Sequence, residues 1–445
     1  MIYFTPRYFL SGFFAFFGLG IAVAQPLRLV PFHESGIYAV GEPVGWTATG
    51  GVSGSSYTYT IKKNGAKVVK EGKIDASSSL VKIETTMSEP AMVYLEITSA
   101  TPGEKPIVAG AAVAPMQLRP AIARPADFDA FWAEKIELLQ SIPVEPVITP
   151  GESEKEGVEY STIRLNNIGG AHVYSQLAKP AREGKFPAML IMLWASPPYP
   201  FAKQWVTDRA AQGWLVLNVE PHDVPGDMPP TFYAALPQMI KEYNTIYDDD
   251  RDRNYFLRMY LGDYRALDYL TSRPDWNGKI LVATGTSMGG QQSFAVAGLH
   301  PKVTHLVTHV AAGADSNAAL HDRMAGYPNW KSSNPKVMQT ALYFDTVNFA
   351  SRIHATSLVS MGFVDTTCPA VGLWTAFNQI AGKKEAVPLR DSPHNNLATP
   401  EQERAFTERS AAWFASLGRG EEPTILNNSG GGAATERSQE PGVRR

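Results

Sequence analysis

Gly285-Thr286-Ser287-Met288-Gly289-Gly290 follows directly after the apolar run Ile280-Leu281-Val282-Ala283. A short buried strand followed by Gly-x-Ser-x-Gly is the sequence form of a nucleophile elbow, a sharp strand-to-helix turn that exposes a serine hydroxyl. Glycines flank that serine because side chains would clash where the strand and the helix approach each other. The motif also occurs by chance, so the strand before it and the residues after it decide its meaning. In this context it predicts Ser287 as a nucleophile.

Unbroken apolar runs alternate with helical stretches along most of the chain. Such runs are typical of parallel strands whose two faces are both covered by helices. The runs are 188–193, 214–217, 280–283, 306–307, 358–359 and 387–389, and the helical candidates are 203–212, 258–272, 288–299, 370–381 and 401–416. The alternation predicts an α/β fold with a doubly wound, mostly parallel sheet over residues 119–418.

Residues 26–115 have a different pattern, which is typical of a small all-β domain. The segment 57–61 alternates in polarity, and Asn64-Gly65 after it suits a two-residue hairpin turn. Further short apolar runs follow at 80–83, 92–97 and 107–113. Short strands at this spacing predict an immunoglobulin-like β-sandwich. A structural spacer and a carbohydrate-binding module are equally consistent with this composition.

The two ends of the chain lie outside the predicted domains. Residues 1–24 read as a secretory signal peptide, because Arg7 precedes an apolar stretch and Ala22-Val23-Ala24 is a small-x-small cleavage site. A transmembrane anchor is the alternative, but the apolar stretch is short and interrupted by glycine. We therefore predict a secreted or periplasmic protein with no membrane span after signal removal. Residues 419–445 are rich in Gly, Glu and Arg and are predicted to be a disordered tail.

The composition narrows the class of protein. The 445-residue chain has a net charge of −3 and no basic stripe, which argues against binding of nucleic acid. Its hydrophobic content of 44% fits a globular protein with a sizeable core. Cys368 is the only cysteine, so no internal disulfide can form. No residues have the spacing of a zinc site, and we predict neither a metal nor an organic cofactor.

A serine hydroxyl is a weak nucleophile and needs a general base, which is itself oriented by an acid. In doubly wound hydrolases these residues follow in the order serine, acid, histidine. Asp365 follows the apolar strand 357–363, and His394 follows the strand 385–389. Both should lie at the carboxyl edge of the sheet, where such folds bind their ligands. We predict Asp365 as the acid and His394 as the base for Ser287.

Other residues compete for these two roles. Asp315 also follows a strand, and it is predicted as a substrate contact, with the acid role as the alternative. Five further histidines follow Ser287, and a lone histidine in a strand or at a helix end is more often structural than catalytic. They are His300, His305, His309, His321 and His354.

The oxygen that becomes negatively charged during attack on a carbonyl needs hydrogen-bond donors. The turn after Ser287 supplies the backbone N–H of Met288. The second donor should come from the loop 194–200, in which three prolines have no N–H to offer. We predict the backbone of Ser196 for this role, with Ala195 and the Tyr199 hydroxyl as alternatives.

Aromatic residues near these loops are candidates for contacts with a substrate. Tyr199 and Tyr233 are predicted to line the pocket, although aromatic side chains are more often part of the core. The long, proline-rich segment 221–250 is predicted to form a lid or rim over the site, with a plain surface insertion as the alternative. Cys368 should pack beneath the acid loop instead of reacting.

Several motifs occur together in an order that is characteristic of one family. They are Arg124-Pro125-Ala126-Asp127-Phe128-Asp129-Ala130-Phe131-Trp132, Tyr264-Arg265-Ala266, the elbow itself, Asp365-Thr366-Thr367-Cys368-Pro369, and Ala381-Gly382-Lys383-Lys384-Glu385. Over about residues 119–418, the chain resembles the acetyl xylan esterase and cephalosporin C deacetylase family, carbohydrate esterase family seven of the α/β-hydrolase superfamily. The resemblance implies a serine esterase that removes small acyl groups, chiefly acetate, from carbohydrates such as xylan. It also implies Ser287, Asp365 and His394 as the catalytic triad.

The chain departs from the family pattern at three positions of the site. Met288 stands where the family usually has Gln, Ala195-Ser196-Pro197 replaces a His-Gly-Tyr loop, and Asn395 stands where Glu is common. The β-domain is not part of the family pattern, so oligomerisation stays open.

We therefore predict a secreted serine esterase that acts on an acetylated oligo- or polysaccharide. A peptidase or lipase-like hydrolase of the same fold is the alternative within enzymes. A non-catalytic carbohydrate-binding surface protein with a degenerate hydrolase domain is the alternative outside them.

Overall fold

The computed structural model of the chain describes residues 27–50, 56–75 and 80–426. The predicted signal peptide and residues 427–445 of the predicted tail lie outside these ranges. Residues 421–426 form neither helix nor strand, and they contact the hydrolase region: the backbone N–H of Leu426 donates to Glu385, and Glu422 pairs with His305. No helix within the described ranges is long and apolar enough to span a membrane.

The amino-terminal part, which we call the β-unit, consists of strands in two separate sheets. A three-stranded antiparallel sheet has the order β1-β3-β6, and a five-stranded sheet has the order β2-β8-β7-β4-β5, in which β2 and β8 are parallel. The strands are β1 (Arg28–Pro31), β2 (Ile37–Tyr38), β3 (Pro43–Thr49), β4 (Ser56–Lys63), β5 (Lys67–Asp75), β6 (Val81–Thr86), β7 (Ala91–Ser99) and β8 (Ile107–Val113). Trp46, Ile61 and Val93 are buried in its own apolar core.

The predicted hairpin at Asn64-Gly65 is present, with three loop residues, 64–66, between the paired residues Lys63 and Lys67. Asn64 and Gly65 both have positive φ angles, 51° and 71°, and they connect the antiparallel strands β4 and β5. Gly and Asn adopt positive φ angles more readily than other residues do, which is why Asn-Gly marks such turns.

The rest of the chain is built around a nine-stranded mixed sheet with the order β17-β16-β15-β14-β12-β13-β11-β10-β9. The six strands β12 to β17 are parallel, and β9, β10 and β11 form an antiparallel edge. The strands are β9 (Val147–Gly151), β10 (Val158–Asn166), β11 (His172–Pro180), β12 (Phe186–Met192), β13 (Leu215–Glu220), β14 (Trp276–Thr286), β15 (His305–His309), β16 (Thr356–Gly362) and β17 (Lys384–Leu389). The predicted mostly parallel sheet is confirmed, and the antiparallel edge was not predicted.

Helices cover both faces of this sheet. They are α1 (Phe128–Gln140), α2 (Gln204–Ala211), α3 (Pro230–Ala234), α4 (Gln238–Lys241), α5 (Tyr255–Ser272), α6 (Met288–Leu299), α7 (Pro335–Ala341), α8 (Thr346–Ala350), α9 (Ala370–Gln379) and α10 (Arg404–Gly418). One core joins the sheet to α5, α6, α8 and α9, and another joins the opposite face to α2 and α10. The helix predicted from residue 258 begins earlier, because the Asn254 side chain accepts the backbone N–H of Phe256 and caps the helix.

The order of the strands decides where the site lies. β12 is flanked by β13 on one side and β14 on the other, so the chain reverses its direction through the sheet at this point. The helices after β12 and β14 therefore pack on opposite faces, and a crevice forms at the carboxyl ends of these strands. The loop after β12 and the elbow after β14 both open into that crevice.

The β-unit packs directly on the segment that carries Asp365. Gly110 of β8 lies so close to Phe363 that a Cβ at position 110 would overlap the Phe363 backbone and Cβ. The backbone N–H of Met324 donates to the carbonyl of Asn64 at 2.9 Å, and the Arg390 guanidinium donates to the carbonyl of Glu34. Contacts from the β-unit thus reach the loops beside the predicted site.

Candidate active site

Ser287 occupies a strained turn between β14 and α6. Its φ and ψ angles are 58° and −121°, a conformation that a residue with a side chain rarely adopts. A Cβ on Gly285 would overlap the backbone of Gly289, and a Cβ on Gly289 would overlap the carbonyl of Met192. Glycine is therefore required at both positions, as the sequence motif predicts.

The structure brings the three residues of the predicted triad together. The Ser287 hydroxyl lies 2.9 Å from Nε2 of His394, and Nδ1 of His394 lies 2.8 Å from Oδ2 of Asp365. Because a carboxylate can only accept, Nδ1 carries the proton, and the Nε2 lone pair of the neutral ring is free to accept from the serine hydroxyl. This arrangement can transfer a proton from Ser287 to His394.

The backbone holds the acid and the nucleophile in place. Oδ1 of Asp365 accepts the backbone N–H groups of Thr367 at 2.8 Å and Cys368 at 2.7 Å, so only Oδ2 faces the imidazole. The backbone N–H of Ser287 donates to the carbonyl of His309 at 3.0 Å, and the Ser287 carbonyl accepts from Ala312 at 2.9 Å. These bonds join the elbow to the ends of the neighbouring strand and loop.

Three of the histidines considered as alternative bases contact residues other than Ser287. His309 contacts Ser360 and Glu403 through its two ring nitrogens, at 2.7 and 3.0 Å. His300 pairs with Asp268, and His305 pairs with Glu422. Their contacts are structural, which leaves His394 as the histidine that contacts Ser287.

Met288 begins α6, and the first N–H groups of a helix have no partner within the helix. Its backbone N–H is therefore available at the elbow, as the oxyanion role requires. Its fully buried side chain points away from solvent, and Sδ lies 3.1 Å from the Tyr243 hydroxyl and 3.4 Å from that of Tyr327.

Ser196 lies in the loop that follows β12. Its carbonyl accepts a hydrogen bond from Nε2 of His222 at 2.8 Å, and its own hydroxyl donates to the carbonyl of Pro197. The Tyr243 hydroxyl lies beside its backbone N–H. The loop is thus held by residues from the segment 221–250.

The predicted substrate contacts differ in what surrounds them. The Tyr199 ring stacks on the Trp194 ring at a centroid distance of 5.7 Å, and Trp194 is 43% exposed. Burial is the main cause that raises the pKa of the Tyr199 hydroxyl, and nearby Glu220 raises it further. The Tyr233 hydroxyl instead accepts the N–H of Met228 and donates to the carbonyl of Pro225, so it braces its own loop.

Asp315 has contacts that favour a structural role over the predicted contact with substrate. Its residue is 3% exposed, and its two carboxylate oxygens accept from the Ala121 backbone and the Arg323 guanidinium at 2.9 and 2.7 Å. The position after a strand, which suggested a site residue, also suits a buried ion pair. The pairing with Arg323 cannot be read from that pattern.

The segment 221–250 is packed into the molecule over part of its length. It contains the short helices α3 and α4, and the side chains of His222, Tyr233 and Tyr243 are buried. His222 and Tyr243 were missed as site residues. The signal that could have found them is position, because His222 follows β13, the strand beside β12, and so reaches the same crevice.

Two buried carboxyls near these elements have no hydrogen-bond partner among the side chains of the described residues. Glu220 ends β13, and Asp263 lies in α5. Burial raises the pKa of both groups well above their ordinary values, because it disfavours the charged form of a carboxyl.

One group of side chains among the described residues has ligand atoms close enough to hold a metal: Asp365, Cys368 and His394. Burial raises the pKa of the Cys368 thiol well above its ordinary value, and Asp365 raises it further. The metal-binding form of cysteine is the thiolate, so this group suits the hydrogen-bonded triad better than a metal ion.

The neutral, buried imidazole of His222 should make the fold sensitive to acid. Burial lowers the pKa of His222 to about 3 from the ordinary 6.5, so between these values the unfolded chain binds a proton that the folded chain does not. We expect the contribution of His222 to the free energy of unfolding to fall as the pH is lowered from about 6.5 to about 3. In His222→Gln the slope should be shallower by up to about 1.4 kcal/mol per pH unit, the effect of one proton.

Urea unfolding followed by tryptophan fluorescence at a series of pH values measures this difference. Glu220 and Asp263 act in the opposite direction, because a raised carboxyl pKa makes stability fall as the pH rises. Both carboxyls are present in the two proteins, so comparison of the slopes isolates His222. Equal slopes would contradict the assignment of a neutral histidine.

The sheet order, the turn at Ser287 and its position at the switch in strand order define the class of the protein. A mostly parallel sheet with a serine on a strand-to-helix elbow is the α/β-hydrolase arrangement. Residues 116–411, more than half of the chain, match the model of the family described as "Acetyl xylan esterase (AXE1)". The chain therefore belongs to the acetyl xylan esterase family, as its motifs predict, and is a carboxylic ester hydrolase by class.

Known proteins agree with this membership. The chain is 28% identical over 380 residues to the acetyl esterase Axe7A of Xylanibacter ruminicola, covering 80% of this chain and 84% of the relative. An acetyl xylan esterase from Paenibacillus sp. R4 aligns with a TM-score of 0.57 and 23% identity, over 66% of this chain and 96% of that one. Acetyl Xylan Esterase 1 from Thermoanaerobacterium sp. JW/SL YS485 has the same TM-score at 20% identity, over 68% and 97%. The two structural likenesses support the α/β fold.

Proposed function

We propose that this protein hydrolyses acetyl or similar small acyl esters on a saccharide such as xylan, with Ser287, His394 and Asp365 as its catalytic triad. The observation that carries the proposal is the continuous pair of hydrogen bonds from the Ser287 hydroxyl to His394 and on to Asp365, at 2.9 and 2.8 Å. The family, and the relative named as an acetyl esterase, support the ester as substrate.

In the proposed first half-reaction, the oxygen of Ser287 forms a bond to the ester carbonyl carbon while His394 takes the hydroxyl proton. Asp365 keeps the imidazole oriented and stabilises the cation that forms. The carbonyl oxygen becomes negative and accepts a hydrogen bond from the backbone N–H of Met288. The second donor is the backbone N–H of Ser196, which turns to the substrate from the neighbouring Tyr243 hydroxyl. The bond to the sugar oxygen then breaks, and His394 gives its proton to that oxygen.

The second half-reaction releases the acid. A water molecule attacks the acyl-serine carbonyl, His394 takes one water proton, and the bond to the Ser287 oxygen breaks as that oxygen recovers a proton from His394. The net reaction converts an ester and water into an alcohol and a carboxylic acid. No step needs a group beyond these side chains and backbone N–H donors.

Tyr199 remains our proposed contact for the sugar. Its stacking on the partly exposed Trp194 gives the loop after β12 an aromatic surface beside the crevice, and aromatic walls are typical of small-molecule sites. We also propose export of the protein through the signal peptide 1–24. An immunoglobulin-like arrangement is proposed for the β-unit, supported by its two small sheets.

Treatment of the purified full chain with a fluorophosphonate probe tests the function. We expect one labelled peptide containing Ser287, with loss of acetate release from acetylated xylan in proportion to labelling. Comparison with a long-chain ester and a peptide ester separates the lipase-like and peptidase alternatives. Acetate release that persists after full labelling, or the absence of label on Ser287, would overturn the proposal.

A further inference from the structure

The loop 194–200 has few ways to hold its own shape. Three of its residues are prolines, which lack an N–H for hydrogen bonds to neighbouring segments. The proposed function requires one backbone N–H of this loop to stay aimed at the developing negative charge, because a misplaced donor loses much of its effect. Side chains from other segments must therefore fix the loop.

His222 is placed to do this. It follows β13, the parallel neighbour of β12, and its residue is 1% exposed. Nε2 lies 2.8 Å from the carbonyl oxygen of Ser196, and Nδ1 lies 3.1 Å from the hydroxyl of Tyr255. A carbonyl can only accept, so Nε2 carries the proton, and Nδ1 accepts the Tyr255 O–H.

The surroundings of His222 keep this tautomer fixed. Burial is the main cause that lowers the pKa of His222 to about 3, and the Arg258 guanidinium also lowers it, so the ring stays neutral at the pH values where esterases are assayed. The carboxyl of Glu220 and that of Asp223 both have their pKa raised by burial.

The same cluster also reaches the other proposed oxyanion residue. The Tyr243 ring lies edge-on to His222 at a centroid distance of 4.5 Å. The Tyr243 hydroxyl contacts that of Tyr327 at 2.6 Å and Sδ of Met288 at 3.1 Å. One cluster, made of His222, Tyr243, Tyr255 and Tyr327, thus contacts both Ser196 and Met288.

We propose that His222 is a positioning residue, which holds the Ser196 segment in the geometry needed for oxyanion stabilisation. It does not touch the reacting atoms and acts through the Ser196 carbonyl. The inference rests on the proposed function of Ser287 and of the loop. It also explains how a proline-rich loop without the family's His-Gly-Tyr sequence can serve the same chemistry.

Four variants of the full chain test this role. His222→Phe keeps a ring but removes both hydrogen bonds, whereas His222→Gln keeps an N–H that can donate to the Ser196 carbonyl. Tyr255→Phe removes only the outer bond to Nδ1. His305→Phe is the matched control, because His305 is equally buried but is the first residue of β15. It therefore lies at the amino-terminal ends of the parallel strands, away from the proposed site.

The measurements are kcat and KM for p-nitrophenyl acetate, per active site titrated with the fluorophosphonate, at a temperature where each variant is folded. Loss of a whole oxyanion donor costs about 10²- to 10³-fold in kcat. We expect a smaller fall in His222→Phe, about 10- to 100-fold in kcat with KM nearly unchanged, since the donor is displaced but present. In His222→Gln, kcat should be close to that of the unmodified chain. In Tyr255→Phe, kcat should lie between the values for His222→Gln and His222→Phe.

A purely structural role predicts another result. In that case His222→Phe would melt earlier, as would His305→Phe, but kcat per titrated site would equal that of the unmodified chain. This outcome, or a loss in His222→Gln as large as in His222→Phe, would overturn the inference. Failure of the proposed function is distinguishable, because the unmodified chain would then fail to label at Ser287.

Discussion

Ser287→Ala should lower kcat for p-nitrophenyl acetate by about 10⁴- to 10⁶-fold while the protein stays folded. Removal of the nucleophilic serine from a catalytic triad lowers kcat on this scale. The residual rate enhancement then comes from substrate binding and the oxyanion donors alone. Alanine fits the space of the serine, and the hydrogen bond of the side chain to His394 is lost. Stopped assays of acetate release at high enzyme concentration measure the residual rate.

Ser293→Ala is the matched control for this variant. Ser293 lies in the same helix α6, is fully buried, and donates its hydroxyl to the carbonyl of Gly289 at 2.7 Å. Its loss should cost roughly 1 kcal/mol of stability and leave kcat close to that of the unmodified chain. Equal activity of Ser287→Ala and Ser293→Ala would remove Ser287 from the mechanism.

Asp365→Asn should lower kcat by about 10⁴-fold, the size of loss seen when the acid of a serine-histidine-acid triad becomes an amide. The Asn carbonyl oxygen can keep the two backbone N–H donors that Asp365 accepts, from Thr367 and Cys368. The amide NH₂ then faces Nδ1 of His394 and donates to it. The imidazole is forced to carry its proton on Nε2, so it can no longer accept the proton of Ser287.

Asp315→Asn separates this effect from the loss of any buried carboxylate. Its carboxylate pairs with Arg323, and breaking that pair should lower the melting temperature without a comparable change in kcat. Both variants are compared by calorimetry and by acetate release at one pH. If Asp315→Asn lost activity as severely as Asp365→Asn, the acid would have been assigned to the wrong residue.

The elbow and the three proposed triad residues could be placed from the sequence because their signals are local. The glycines at 285 and 289 form a short pattern that can be recognised without knowledge of the contacts that require them. Apolar strands before Asp365 and His394 put both residues at the carboxyl edge of a parallel sheet. Chain order then selected His394 from several histidines. Each step needed only a short stretch of sequence and the rules of parallel sheets.

What the sequence did not reveal depends on contacts between distant segments. Asp315 has the same position after a strand as Asp365, and only the approach of Arg323 and Ala121 distinguishes them. His222 is an ordinary residue of a proline-rich stretch until β13 places it beside the Ser196 carbonyl. Likewise, two strands of the antiparallel edge lack the continuous burial that a search for apolar runs detects, because β10 alternates between buried and exposed residues and β9 is exposed throughout.

The close approach of Gly110 to Phe363 joins the β-unit to the segment that carries the proposed acid, Asp365. Phe363 stands two positions before Asp365, so any bulk added at position 110 would push on the chain that presents the acid. Only glycine therefore fits at position 110 without a shift of the Phe363 backbone. A different amino-terminal domain could replace the β-unit only if its surface left Phe363 the space that Gly110 leaves.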